Sequence, residues 1–149
     1  MINDAGVSVN LPNKAQYWQR TALHCAAENG VNEIVQILLE NGANLNCQDK
    51  YGCTPLVLAA LNGKTDTVDM LLKAGARTNC QTQHGNSEFH FAASHGNKET
   101  LALLLRNNRF IFNHAPWSLA VHILRPQRFN VTIKLIIYYH HYYIWNCRG

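Results

Sequence analysis

Acidic residues are missing from the last third of the chain. Residues 100–149 contain six lysines and arginines and no aspartate or glutamate, so this segment carries a charge of +6. Residues 1–99 hold seven basic and nine acidic residues, which gives them a charge of −2. The net charge of +4 therefore comes from the C-terminal part of the chain. Any electrostatic attraction to nucleic acid would have to come from that segment.

Paired cysteine motifs are also missing. The five cysteines, at positions 25, 47, 53, 80 and 147, form neither a C-x-x-C pair nor a compact disulfide framework. Reduced thiols in a reducing compartment are the simpler interpretation. The first ten residues lack the charged start and apolar run of a signal peptide. We therefore expect an intracellular protein, in the cytoplasm or the nucleus.

Long apolar runs are scarce. The most apolar and aromatic stretch, residues 129–145, is interrupted by Lys134 and by His140-His141. It is too short and too broken for a membrane-spanning helix. No membrane span is expected.

Catalytic and cofactor-binding motifs are absent from the sequence as well. Two serines and two histidines lie close together between positions 87 and 95, but no Gly-x-Ser-x-Gly elbow or partnering carboxylate accompanies them. No glycine-rich loop could cradle a phosphate. His140-His141 and Cys147 do not provide four metal ligands at a recognised spacing. The sequence therefore predicts no enzyme, no cofactor and no metal.

What the chain does have is a period of 33 residues. Many residues between Gly52 and Asn79 recur, identical in type, 33 positions earlier. A third, weaker copy follows 33 positions later and keeps Gly85, Gly96 and two pairs of small or apolar residues. The identical positions in the first two copies include Thr21 and Thr54, Leu23 and Leu56, Ala26-Ala27 and Ala59-Ala60, Gly30 and Gly63, Val35 and Val68, Leu38-Leu39 and Leu71-Leu72, Gly42-Ala43 and Gly75-Ala76, and Asn46 and Asn79.

This pattern resembles the ankyrin repeat, which has a period of 33 residues and the signature Thr-Pro-Leu-His-x-Ala. The segments Thr21–Ala26 and Thr54–Ala59 each match that signature with one departure. The resemblance covers roughly residues 17–108. It implies an all-α fold, an ankyrin-repeat solenoid of stacked helix–turn–helix units with hairpin loops.

The residues of one copy explain how such a unit would form. Thr54 is expected to cap a first helix that has Pro55 at its first position, and Gly63 is expected to end it. A second helix, from about Thr67 to Lys73, carries apolar residues at i, i+3 and i+4, including Leu71. No single copy can bury that stripe, so neighbouring copies must stack to make the core.

The predicted organisation has five segments. They are a remnant of a preceding repeat at residues 1–16, repeats at 17–50, 51–83 and 84–112, the last of them degenerate, and a basic aromatic non-repeat tail at 113–149. The remnant is inferred because residues 5–10 resemble Asn41–Asn46, 36 positions later, so that a longer loop would absorb three extra residues. His24 and His90 occupy one repeat position, where the resemblance implies a structural hydrogen bond to the neighbouring hydroxyl residue and the turn backbone.

The resemblance also implies a partner-binding surface made of loop tips and the concave side of the first helices. Trp18 and Tyr51 are the expected anchors, because aromatic side chains give much contact energy for little lost rotamer freedom. Each position could equally be an ordinary exposed loop residue. The predicted partner-binding residues are Tyr17, Trp18, Arg20, Glu28, Asn29, Gln48, Lys50, Tyr51, Cys53, Leu61, Asn62, Gln83, His84, Asn86, Ser94 and His95.

Three functions remain open at this point. The first is a non-catalytic, monomeric protein-interaction module that acts as an adaptor or an inhibitor. The second is a truncated isoform or fragment of a larger ankyrin protein without a function of its own. The third is nucleic-acid binding through the basic C-terminal tail. Counted from residue 100, this end of the chain has six cations, and its nine aromatic residues from Phe110 onwards could stack on the bases of single strands.

Overall fold

The computed structural model describes residues 8–13, 18–78 and 80–107. Within these ranges the chain forms six α-helices, arranged as three successive pairs. The helices are α1 (Ala22–Asn29), α2 (Asn32–Glu40), α3 (Pro55–Leu61), α4 (Thr65–Lys73), α5 (Glu88–Ser94) and α6 (Lys98–Asn107). The predicted all-α architecture of stacked helix–turn–helix units is confirmed. The predicted tail at 113–149 lies outside the described residues.

The helices form two rows. In one row α3 packs between α1 and α5, and in the other α4 packs between α2 and α6. Between them lies one core to which all three pairs contribute. Leu71 and Leu104 are fully buried in it, and Leu38, at the same repeat position, packs against it while only partly buried. The expected shared interior is therefore present.

Hydroxyl residues begin the first helix of every pair. Thr21, Thr54 and Ser87 stand at the N-cap positions with extended backbones. The Thr54 hydroxyl accepts a hydrogen bond from the Val57 N–H at 3.3 Å, and Pro55 occupies the first helical position. This arrangement confirms the predicted start, because it satisfies a helix N–H that has no partner within the helix.

The second helix of the middle pair begins earlier than the sequence predicted. We expected it from about Thr67, but α4 begins at Thr65. The reason is the compactness of the preceding turn: α3 ends at Leu61, Asn62 caps it, and Gly63 reverses the chain with a φ of 63°. Because glycine adopts this left-handed conformation without strain, the turn is complete within three residues.

The loops between pairs are hairpins tied by the same main-chain hydrogen bond. The Asp49 N–H donates to the Cys53 carbonyl at 2.9 Å, and one period later the Thr82 N–H donates to the Asn86 carbonyl at 2.8 Å. An equivalent bond joins the Asn13 N–H to the Arg20 carbonyl at 2.8 Å across a loop three residues longer. These contacts support the proposal that the residues before α1 correspond to the end of a repeat.

Gln19 occupies the loop position at which the later copies have Gly52 and Gly85. All three residues have a positive φ, which is 53° at Gln19. A left-handed backbone destabilises a non-glycine residue by about 1–2 kcal/mol, whereas glycine loses about 0.4–1 kcal/mol through its freer unfolded state. We therefore expect Gln19→Gly to raise the free energy of unfolding by about 0.5 kcal/mol, as measured by urea denaturation.

The control for this prediction is Gln19→Ala, which keeps the strained Cβ and should bring no gain. Gly52→Ala, at the same position of the next loop, should lower the free energy of unfolding for two reasons. Alanine would adopt the strained φ, and its methyl carbon would lie 3.1 Å from the Cα of Thr82. A loss of stability in Gln19→Gly would contradict the strain at this position.

Candidate functional site

The predicted partner-binding residues lie on a surface that we call the loop-tip surface. It comprises the hairpin loops around residues 18–20, 48–53 and 83–86, together with the C-terminal ends of α1, α3 and α5, because the rest of α3 is buried. Tyr17 lies outside the described residues. The exposed members are Trp18, Asn29, Gln48, Tyr51, Asn62, Gln83, His84, Ser94 and His95, and the half-buried members are Arg20, Glu28, Lys50, Cys53, Leu61 and Asn86.

Successive loop tips are joined by main-chain hydrogen bonds. The Lys50 N–H donates to the Trp18 carbonyl at 3.0 Å, and the Gln83 N–H donates to the Tyr51 carbonyl at 3.0 Å. The Gln83 side-chain amide adds a bond to the Lys50 carbonyl at 2.6 Å. Because these bonds fix the main chain at each tip, the loops hold their side chains in register along the stack.

Arg20 is the centre of a charged cluster beneath the first loop tip. Its guanidinium donates to Glu28 Oε2 at 2.6 Å and to Asp49 Oδ2 at 3.2 Å, and lies 4.9 Å from the centre of the Trp18 ring. Burial alone lowers the pKa of Arg20, but its hydrogen bonds to Asp49 and Glu28 outweigh that effect and raise it. The cation therefore stays charged and holds one face of the indole, while Trp18 remains 45% exposed.

Asp49 is the important residue that the sequence analysis missed. Its side chain is fully buried and accepts hydrogen bonds at Oδ1 from the N–H groups of Tyr51 and Cys53, both at 2.9 Å. The remaining oxygen, Oδ2, accepts from Arg20. An aspartate three residues before a glycine, as in Asp49–Gly52, is a signal for such a turn and could have identified it.

Three of the predicted contact residues already have a structural role. Asn29, Asn62 and His95 occupy one repeat position, immediately before the glycine of the turn. Each side chain donates to the carbonyl four residues earlier, at 2.8, 2.9 and 3.0 Å respectively. The Leu58 and Phe91 carbonyls also accept the main-chain N–H groups of Asn62 and His95, so these side chains add a second hydrogen bond near the helix end. Their amide or imidazole groups are thus partly committed to their own helices.

Cys53 offers a neutral thiol to this surface. Burial, with the negative charge of Asp49 second, raises its pKa to about 11. The thiol is therefore protonated at neutral pH, and a nucleophilic role is disfavoured because thiolate is the reactive form. Among the residues that the structure describes, no group of three histidine, cysteine or acidic side chains could hold a metal ion.

His24 links the first pair to the second. The Thr21 N–H and hydroxyl donate to its Nδ1 at 3.1 and 2.8 Å, so the proton lies on Nε2, which donates to the Cys53 carbonyl at 3.0 Å. This confirms the structural role that the sequence predicted for the position. Burial lowers the pKa of the His24 imidazole below its usual value, because a charged ring would be poorly solvated there.

The lowered pKa predicts a loss of stability in acid. In the unfolded chain His24 titrates near its ordinary pKa of 6.5, so its contribution to stability is complete above that pH. As the pH falls below 6.5 towards the lowered pKa of the folded state, the unfolded chain binds more protons and stability declines. Urea denaturation at pH 7.5 and at successively lower pH should show this decline.

The matched variant for this experiment is His24→Val, because Val57 occupies the same position in the second pair. The variant should be less stable than the parent chain at pH 7.5, since it loses the bond to the Cys53 carbonyl. It should also lose stability less steeply on acidification. An unchanged pH dependence would contradict the titration of His24 as a cause.

The comparisons with known proteins agree with this architecture. The family model described as "Ankyrin repeats (3 copies)" matches residues 1–82. Within the described residues, no helix is both long enough and apolar enough to cross a membrane.

Individual relatives match over short segments. A protein of Rickettsia bellii (strain RML369-C) named for its ankyrin repeats is 58% identical over 36 residues, which is 24% of this chain and 15% of that protein. Ankyrin repeat and SOCS box protein 3 of Bos taurus is 54% identical over 35 residues, or 24% of this chain and 7% of that protein. Potassium channel KOR2 of Oryza sativa subsp. japonica is 44% identical over 45 residues, or 30% of this chain and 6% of that protein.

The chain thus spans no more than 15% of the length of these three relatives, and the similarity concerns the repeated unit. The family match extends over more than half of the chain and includes the first two helix pairs, α1 to α4, and the loop between them. This chain belongs to the ankyrin repeat family.

Proposed function

We propose that this chain is a non-catalytic protein-binding module that receives its partner on the loop-tip surface. Ankyrin repeats generally mediate protein–protein interaction. The observation that carries the proposal is the pair of aromatic side chains Trp18 and Tyr51. They are 45% and 36% exposed, and they stand on adjacent loops whose main chains are hydrogen-bonded to neighbouring tips.

The support beneath Trp18 favours a binding role over a merely exposed side chain. An exposed aromatic ring on a free loop would lose conformational entropy on binding. Here Arg20 holds one face of the indole and is itself fixed by Asp49 and Glu28. The cluster thus orders Trp18 before a partner arrives, which is the property expected of an interface anchor.

The finer features of the function belong to the same proposal. We infer that the chain acts as a monomeric adaptor or inhibitor in the cytoplasm or the nucleus. The resemblance to ankyrin repeats supports the role, and the lack of paired cysteine motifs supports the compartment. Nucleic-acid binding through the tail and a fragment without its own function are the alternatives. No contact within the described residues favours either of them over protein binding.

Crosslinking from defined positions would test the proposal. A photoreactive amino acid at Tyr51 should capture a partner protein from cells, whereas the same group at Lys73, on α4 in the other helix row, should not. Trp18→Ala should weaken the affinity of the captured protein for the full chain by about 30-fold, the loss typical of an interface anchor. Lys73→Ala is the matched control and should leave the affinity unchanged.

Three results would contradict this function. Capture from Lys73 with equal efficiency would place the contact elsewhere. The absence of any captured protein would favour a fragment without its own partner. A salt-sensitive shift of nucleic acid by the full chain, unaffected by Trp18→Ala, would favour the basic segment as the binding element.

A further inference from the structure

The first described helix pair exposes an apolar face. Val31, Ile34 and Ile37 are 37%, 48% and 57% exposed, and we call these three residues the open face. Ile34 and Ile37 lie on α2, one turn apart, and Val31 directly precedes that helix. They belong to the row in which α2 packs against α4 on its other side. The open face is therefore the end of a helix interface that continues through the rest of the stack.

Repeat positions show what this face contacts in the later pairs. Val31 corresponds to Lys64 and Asn97, each of which lies against the turn of the preceding pair. The Asn97 side-chain amide donates to the Ala60 carbonyl at 2.9 Å. The Lys64 side chain lies so close to Gly30 that a methyl group there would be 2.7 Å from its Cδ. The position thus faces backwards along the chain, towards the previous helix pair.

The position of Ile34 gives the same result. Its counterparts Thr67 and Thr100 are each 1% exposed, because the preceding pair covers them. Thr67 donates to Asn32 Oδ1 at 2.5 Å, and one period later the hydroxyls of Thr100 and Thr65 are hydrogen-bonded at 2.8 Å. At the first pair this position holds an isoleucine, 48% exposed, in place of a threonine. An apolar side chain there is suited to burial rather than to solvent.

The residues before α1 indicate the direction from which the face would be covered. The Asn44 N–H donates to Asn10 Oδ1 at 2.6 Å, and the Arg77 N–H donates to Asn46 Oδ1 at 2.8 Å. Arg77 lies 33 residues after Asn44, so the hydrogen bond between Asn44 and Asn10 is the equivalent, one repeat earlier, of the bond between Arg77 and Asn46. Asn10 therefore has the same position relative to the first pair as Asn46 has relative to the second. Residues 8–13 therefore follow the path of a loop that leaves a preceding helix pair.

We propose that the open face is a docking site for a further helix–turn–helix unit of the same kind, joined ahead of Ser8. Such a unit would place its second helix against Ile34 and Ile37 as α2 lies against α4. By analogy with Gly30 beneath Lys64 and Gly63 beneath Asn97, its turn would present a left-handed glycine beneath Val31. The first described pair is then an internal unit of the stack and not a terminal cap.

A second copy of this chain fits the face less well. The charged residues of α2 are Glu33 and Glu40, and the helix carries no lysine or arginine. Two such faces packed antiparallel would bring the glutamates of one helix near those of the other. Like charges at an interface oppose association, so the surface favours a helix pair that completes the row.

The test is an extended chain in which residues 1–5 are replaced by a copy of residues 52–74. This replacement places the copy in register, because Gly6 corresponds to Gly42 and Gly75 in the repeat. We expect a higher urea midpoint than in the original chain, and slower amide exchange in α2. Ile34→Glu should lower the midpoint much more in the extended chain than in the original one, where the side chain is half in water.

The matched control is Gln36→Glu, which adds the same charge to an exposed position of α2 and should shift the two midpoints equally. Equal effects of Ile34→Glu in both chains would overturn the proposal, as would an added segment whose amides exchange freely while the rest is folded. Concentration-dependent dimers of the original chain that Ile34→Glu abolishes would also overturn it, in favour of a second copy.

Discussion

Leu71→Ala should lower the free energy of unfolding by about 2–5 kcal/mol, the range for large-to-small changes in a packed core. Leu71 is fully buried in the middle pair and belongs to the core that all three pairs share. Its removal would leave a cavity at a point where neighbours on both sides depend on the contact. Chemical denaturation followed by far-UV circular dichroism would measure the loss.

Leu38→Ala is the control with the same residue type at the same repeat position. Leu38 is only partly buried, since the open face lies on its side of the stack. Its replacement should therefore cost clearly less than that of Leu71. If Leu71→Ala left the denaturation midpoint unchanged, the stacked core would not be the source of stability at that residue.

Asp49→Ala should destabilise the chain by about 3 kcal/mol, because it leaves two main-chain N–H groups without an acceptor and removes one of the two acceptors of a guanidinium. The groups are the N–H of Tyr51, the N–H of Cys53 and one of the two ion-pair contacts of Arg20. In addition, Trp18 would lose part of the support of its indole. Denaturation and the near-UV circular dichroism of the tryptophans would report the two effects separately.

Two substitutions separate the roles of Asp49. Asp49→Asn keeps an oxygen for the two N–H groups and removes the charge, so its effect isolates the ion pair with Arg20. Asp49→Thr copies Thr82, the residue at the same position of the next loop, whose hydroxyl accepts from the Asn86 N–H at 3.2 Å. We expect both to be milder than Asp49→Ala. An alanine variant as stable as the parent would show that the carboxylate does not organise the loop.

Much of the scaffold could be predicted because the same residue types recur at fixed positions of each repeat. Thr54, Pro55 and Gly63 act through local rules of helix capping and left-handed turns, which a sequence displays directly. The spacing of Leu71 within its helix likewise follows from helical geometry. The start of α4 was the exception, because it depends on how few residues the turn at Gly63 needs.

The candidate site was predictable as a region and less so in its chemistry. Trp18 and Tyr51 were expected at the surface, and both lie there. The sequence did not indicate that Asn29, Asn62 and His95 turn back to cap their own helices. The reason is that a polar side chain near a helix end can serve either the helix or a partner, and only its hydrogen bonds distinguish the two.

The sequence alone determined the period, the helix pairs and the expectation of a common core, since these depend on residue type at fixed spacing. Tertiary structure decided which members of the period meet. It brought Arg20, 29 residues before Asp49, to that buried carboxylate beneath Trp18, and it left Ile34 open where Thr67 and Thr100 are covered. The physical reason is that a contact between repeats depends on the neighbour that is present, and a sequence position does not specify that neighbour.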